Sequence, residues 1–131
     1  MKNLVMLVCD HVSTDSGFPT LYDVLHNIGA PRVPVMRPLT VYVELAIEPD
    51  EEGQPFHLRL DLLDGDGRNL VSNLGEGDYI APTRVHPQMQ PVWAPQYTLP
   101  GLTFPATGEY LFRLTVGDQV VAERTFTVIP V

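Results

Sequence analysis

Large apolar side chains fall on every second residue of this chain in three long stretches. Leu39, Val41, Val43, Leu45 and Ile47 alternate with Thr40, Tyr42, Glu44 and Glu48. Phe56, Leu58, Leu60 and Leu62 alternate with His57, Arg59 and Asp61, and Tyr110, Phe112, Leu114 and Val116 repeat the pattern. A period of two places each apolar set on one face of a β-strand. The first two stretches, joined by the acidic turn Pro49–Gly53, read as adjacent hairpin partners with one core face and one wet face.

The rest of the chain reads as further strands and turns. Residues 3–9 are apolar at nearly every position, as in a strand covered on both faces. Leu21–Ile28 reads as one strand, with Tyr22, Val24, His26 and Ile28 set against Asp23 and Asn27. Gly29–Pro38 carries three prolines and reads as an extended crossover between two sheets. Asp64-Gly-Asp-Gly67 has turn composition and leads into a short return over Arg68–Val71. Asn73, Gly75, Gly77, Pro82 and Pro87 interrupt any period across 72–90, leaving a short strand at Tyr79-Ile80. Val92–Leu99 reads as a strand running into Pro100-Gly101.

Gly117-Asp118 marks the tip of a closing hairpin. A two-residue loop would set Val121, Glu123 and Thr125 opposite the apolar face of the partner strand. A three-residue loop, 117–119, with a bulge aligns Val120, Ala122, Phe126 and Val128 with Tyr110 and Leu114. A one-residue slip flips every side chain, so burial selects the second arrangement.

Upstream of that hairpin, Phe104-Pro-Ala-Thr-Gly108-Glu-Tyr110 has a turn feeding a strand, with a Tyr two residues past a Gly. This is the pattern of a tyrosine corner, in which the phenol lies on the core and its OH bonds the preceding connection. Phe112 then stands where antibody domains place their second Cys. The expected fold is all-β: an immunoglobulin-like antiparallel β-sandwich of about seven to nine strands, as a single domain over residues 1–131.

Composition agrees with that class. A chain of 131 residues buries roughly two-thirds of its unfolded surface, enough for a core without staples. Thirteen Pro and ten Gly argue against long helices. Eight Lys+Arg against sixteen Asp+Glu give a net charge of −8, with no basic footprint for nucleic acid or an anionic membrane. The single cysteine, Cys9, forms no intramolecular disulfide. The apolar run Leu4–Cys9 is too short for a signal peptide and ends in Asp-His, and no stretch approaches the ~18 apolar residues of a membrane span. A cytoplasmic location is the default expectation.

The order and spacing of several short motifs resemble a family of small bacterial proteins known as a domain of unknown function. They are Cys9-Asp10, Leu21-Tyr-Asp-Val24, Ala30-Pro31, Val33-Pro34, Pro38, Leu99-Pro-Gly-Leu102, and Phe104 with Gly108 and Tyr110. Asp23 departs from the pattern, which has a small residue there. The resemblance implies the sandwich fold; it implies no activity, substrate or site residues.

Candidate chemistry is sparse. Cys9 and His11 share a strand face at i and i+2, the placement for a thiol beside a base or for two of four zinc ligands, but no second Cys or close His pair completes either set. A buried structural Cys fits better. Asp61, Asp64 and Asp66 near Asp50-Glu-Glu52 offer oxygen ligands without EF-hand spacing, and Asp-Gly-Asp-Gly is what a turn requires. There is no nucleophile elbow and no phosphate-binding Gly-rich loop ahead of a helix. No residue is singled out as catalytic, cofactor-binding or metal-ligating.

Two features point to partners. Trp93 and Tyr97, flanked by Pro91 and Pro95, form either an exposed aromatic surface or, for Trp93, a core tryptophan. The last strand, Val120–Ile129, reads as a sheet edge guarded by Glu123 and Arg124 alone. Trp93, Tyr97, Val120 and Ala122 are the candidate partner-binding residues. The expected function is a non-enzymatic protein–protein interaction or self-assembly module. The alternative is a small-ligand or metal-binding domain using the loops around His11, His86 and Asp64–Asp66, and a Cys9 enzyme stands third.

Overall fold

A computed structural model describes residues 1–71 and 74–131; the sequence reading of Asn73 as an interruption lies outside the described residues. The strands are β1 (Lys2–Ser13), β2 (Thr20–Leu25), β3 (Asn27–Ala30), β4 (Val35–Ala46), β5 (Pro55–Asp64), β6 (Asn69–Ile80), β7 (Val92–Trp93), β8 (Gln96–Phe104), β9 (Gly108–Val116) and β10 (Gln119–Pro130). In one sheet β2, β1 and β4 lie side by side, and the far edge of β4 pairs with both β7 and β8. The other sheet runs β3-β10-β9-β5-β6. The β3–β10 pair is parallel and the rest are antiparallel. With β4 and β8 in one sheet, and β5, β9, β10 and an added β6 in the other, the arrangement is that of an immunoglobulin-like sandwich. No helix among the described residues is long and apolar enough to cross a membrane.

Ten strands among the described residues exceed the seven to nine expected, because two segments read as single strands are each divided, while the return after Arg68 and the short strand at Tyr79-Ile80 are one strand, β6. Residues 21–28 break at His26, so that β2 serves one sheet and β3 the other. Residues 92–99 break at Ala94-Pro95, and β8 continues through Pro100-Gly101 to Phe104. Gly29–Pro38 does cross between sheets, from β3 to β4.

The two most regular strands are not a hairpin. β4 and β5 lie in different sheets, and their apolar faces meet across the core. A short 3-10 turn, Pro49–Glu51, makes the corner, and Glu51 accepts the Glu48 backbone N–H at 2.7 Å. Alternation reports which face is apolar and says nothing of which sheet a strand joins. β1 is also less enclosed than expected: Met6 and Val8 enter the core, while Leu4 bulges into solvent where the register shifts between Asn3 and Val5.

The closing hairpin has its bulge, but within β10 and behind a two-residue tip rather than in a three-residue loop over 117–119. Gln119 pairs with Val116 across the Gly117-Asp118 tip, and the register shifts between Val120 and Ala122. Ala122, Phe126 and Val128 thus face the core with Tyr110 and Leu114, whereas Val120 lies before the shift and is 47% exposed. Nor is β10 a bare edge, since β3 covers Thr127–Pro130.

The core is centred on Phe104, Phe112 and Phe126, all fully buried. Ring centroids lie 5.5 Å apart for Phe104–Phe126, 6.0 Å for Phe112–Phe126 and 5.0 Å for Phe104–Tyr110. Tyr110 forms the expected corner: its OH donates to the Ala106 carbonyl at 2.5 Å and accepts the Ala106 N–H at 3.1 Å. Truncating Phe112→Ala should cost about 3–5 kcal/mol in urea unfolding, through lost burial and a residual cavity. Tyr110→Phe, which removes the corner bonds and keeps the ring, should cost about 1 kcal/mol; equal losses for the two would show that the corner, not the packing, carries this region.

Candidate functional site: an aromatic cleft at the open edge of the sandwich

β6 ends one sheet, and β7 with β8 ends the other on the same side of the sandwich, so the two layers part there. The inward positions of β6 are Gly75, Gly77 and Tyr79, opposite Leu60, Leu58 and Phe56 of β5. Glycine is required at the first of these by close approach. A Cβ on Gly75 would sit 2.5 Å from Cδ1 of Tyr97, so the Tyr97 ring occupies the volume a side chain would take. At Gly77 a Cβ would meet the Tyr79 hydroxyl at 3.0 Å, which shows Tyr79 folded back along its own strand.

These substitutions of space for side chains leave a cleft of about 220 Å³, lined by Leu58, Gly75, Tyr79, Trp93, Pro95 and Tyr97, with Gln96 at its border. Trp93 is half-buried and packs at a tilt on Phe56, with centroids 6.2 Å apart. It is therefore neither a fully exposed anchor nor a tryptophan enclosed by both sheets. Tyr97 is 9% exposed, and its hydroxyl is buried with no hydrogen-bond partner among the described residues. Burial, and then the neighbouring Tyr79, pushes the phenol up to about 12. It stays a neutral O–H donor. A buried polar group left unpaired costs about 1–3 kcal/mol, so this hydroxyl is a site of stored binding potential.

Of the four candidate partner residues, Trp93 and Tyr97 converge on this cleft. The exposed aromatic surface expected of them is corrected in part: the Tyr97 ring is sealed against Gly75, and Trp93 is half-exposed. Val120 and Ala122 lie on β10, with β9 and β5 between them and β6. Ala122 is 4% exposed and belongs to the core, so its side chain offers a partner no surface. Gly75, Gly77 and Tyr79 were missed from sequence. Their signal is the alternation Gly75-Glu-Gly77-Asp-Tyr79, in which period two is kept by small residues in place of apolar ones.

The other candidate groups serve the fold. Cys9 is fully buried, its S–H near the carbonyls of His11 and Thr40 at 3.6 Å each, and burial followed by the Asp10 charge raises the thiol above its ordinary value. The His11 ring turns outward to stack on Tyr22 at 4.4 Å and to meet Asp10 at 2.9 Å, so thiol and imidazole do not pair. Asp64 Oδ1 accepts the N–H groups of Asp66 and Arg68, both at 2.9 Å, as a turn residue does. His86 accepts the Gln88 N–H at 3.1 Å. Among the described residues no three His, Cys, Asp or Glu side chains stand in metal-binding geometry.

On the outer face, His57 of β5 is held between two acids of β6, with Nδ1 2.9 Å from Asp78 and Nε2 2.7 Å from Glu76. The hydrogen bonds to Asp78 and then Glu76 raise its pKa. The imidazole clasps to β5 the same strand whose inner face walls the cleft.

Two sheets, a tyrosine corner and a cleft at the open side define an immunoglobulin-like sandwich with a ligand-sized recess. The chain belongs to a family of unknown function, DUF6941, whose model matches residues 4–129 and so spans every residue of the cleft. Among solved structures it is similar to an immunoglobulin-like protein from Pseudomonas aeruginosa, at 16% identity, over 92% of this chain and 90% of that one, with a TM-score of 0.39. A search of curated proteins found no match.

Gly75→Ala should destabilise the protein by about 1–3 kcal/mol in urea, because the Tyr97 ring must leave its seat, and should shift the emission of Trp93, the single tryptophan. Unchanged stability would mean that the ring is not seated on Gly75. The His57 clasp has a raised folded pKa, so its stabilisation is complete below the ordinary histidine value of about 6.5 and is lost as pH rises through the folded value. Urea stability of the wild type should therefore fall over that interval relative to His57→Gln; parallel pH curves would remove the clasp.

Proposed function

We propose that this protein is a non-enzymatic protein-interaction module whose contact surface is the cleft between β6 and β7–β8. The observation that carries this reading is the convergence of Tyr79, Trp93 and Tyr97 on one open recess. Aromatic side chains provide large contact area at low conformational cost and dominate binding energy where partners meet. Gly75 holds one of these rings in place, so the surface is built before a partner arrives.

The neighbouring loop extends the surface. Ile80, Val85 and Met89 are exposed on or beside residues 81–91. That loop is pinned by Arg84, whose backbone N–H and Nε donate to Glu52 at 2.8 and 2.9 Å and whose guanidinium also reaches the Pro87 and Met89 carbonyls. Apolar side chains on a pinned loop favour association. The β10 edge supports it less: β3 occupies its end, Glu123 pairs with Arg113 at 2.9 Å, and Arg124 meets His26 at 2.6 Å. The small-ligand reading of the loops finds no comparable convergence, since His11, Asp64–Asp66 and His86 sit on three separate elements, each engaged locally.

A photo-crosslinking residue placed at Tyr79 should trap a protein partner in cells, while the same residue at Asp66 should not. A second copy as the partner would appear as a crosslinked dimer and as a concentration-dependent mass in light scattering, reduced in Tyr79→Glu. Equal trapping at both positions, or none, would remove the cleft as the contact surface.

A further inference from the structure

Taking the cleft as the contact surface, we propose that its occupant is a proline-rich segment in polyproline II conformation, flanked by basic residues. The lining carries the first part of the argument. Tyr79, Trp93, Tyr97 and Pro95 bring four rings to the lining beside Leu58, and among the described residues no charged side chain lines the recess. Pyrrolidine rings pack on aromatic rings, and aromatic-lined grooves are how proline-rich segments are recognised.

Hydrogen-bonding capacity carries the second. The Tyr97 hydroxyl is buried without a partner among the described residues and held as a donor, the indole N–H of Trp93 can only donate, and the Gln96 amide adds two more donors. A polyproline II segment supplies the complement: its carbonyls have no internal partners, and its prolines have no N–H to satisfy. Strand addition to β6 would instead need backbone N–H groups that prolines lack. Such a segment is also extended before binding, so little chain entropy is lost.

Charge carries the third. The chain has a net charge of −8, and Glu76 and Asp78 lie on β6 immediately behind the cleft wall, both paired with the one imidazole of His57. Basic residues beside the prolines are attracted by this field, most strongly at low salt.

The single tryptophan makes the test direct, because Trp93 is itself part of the wall. The purified protein is titrated, with Trp93 emission as readout, with a synthetic peptide of about ten residues, proline throughout with arginine at each end. A Gly/Ser peptide with the same arginines and tetramethylammonium chloride serve as controls. The proline peptide should give a saturable change that weakens with salt. Tyr97→Phe, which keeps the ring seated on Gly75, should weaken it about five- to tenfold, the size of one hydrogen bond, and Tyr79→Ala should weaken it further. An equal response to the Gly/Ser peptide, saturation by tetramethylammonium, or no response to the proline peptide overturns the proposal. If the proline peptide fails while crosslinking at position 79 still traps a protein, the interaction reading stands and the proline occupant falls; if both fail, both fall.

Discussion

Contact between the sheets through aromatic rings is the constraint on which this sandwich depends. Phe104 comes from β8 in one sheet, and it meets Phe126 of β10 and Tyr110 of β9 from the other. Phe112 joins the group through Phe126. No disulfide ties the layers, since Cys9 stands alone, and the ring at position 112 supplies by volume what a bridge would supply by covalency. The tyrosine corner then fixes the connection that delivers β9 to this cluster.

The cleft shows the same physics with the sign reversed. Around the phenylalanines large side chains fill the gap between layers. Along β6 the inward positions at Gly75 and Gly77 carry no side chain, and Tyr97 from the opposite sheet fills only part of the space. A close-packed interior penalises voids, so a recess at the boundary of the core is a place where stability has been given up. The Tyr97 hydroxyl, without a partner among the described residues, adds to that cost. The outer face of the same strand is reinforced in compensation: His57 holds β6 to β5 by Asp78 and Glu76, and Arg84 ties the following loop to Glu52. A strand weak on one face and clasped on the other keeps its recess open without detaching.

Edge protection follows a comparable economy of short elements. β3 is only four residues long, yet it caps β10 by parallel pairing over Thr127–Pro130. At the edge of the other sheet, Asp23 adopts a left-handed φ of 54° within β2, an irregularity that interrupts the regular ladder there.

The amino-acid sequence by itself determined the all-β class, the inward face of β4, β5 and β9, the Asp64–Gly67 turn, the crossover before β4 and the tyrosine corner. These depend on alternation and on turn chemistry, which act over a few residues. Tertiary structure alone decided that β4 and β5 oppose each other across the core, because the same alternation serves a hairpin and an inter-sheet corner. It decided that residues 20–30 divide between two sheets, that the bulge lies after Val120, and that Ala122 is core. Of the site, Trp93 and Tyr97 were legible as aromatics beside prolines, but Gly75 and Tyr79 were not, because a glycine in sequence does not tell which ring will come from another sheet to fill its place. Local pattern sets which way a side chain points; only the packed layers set what it meets.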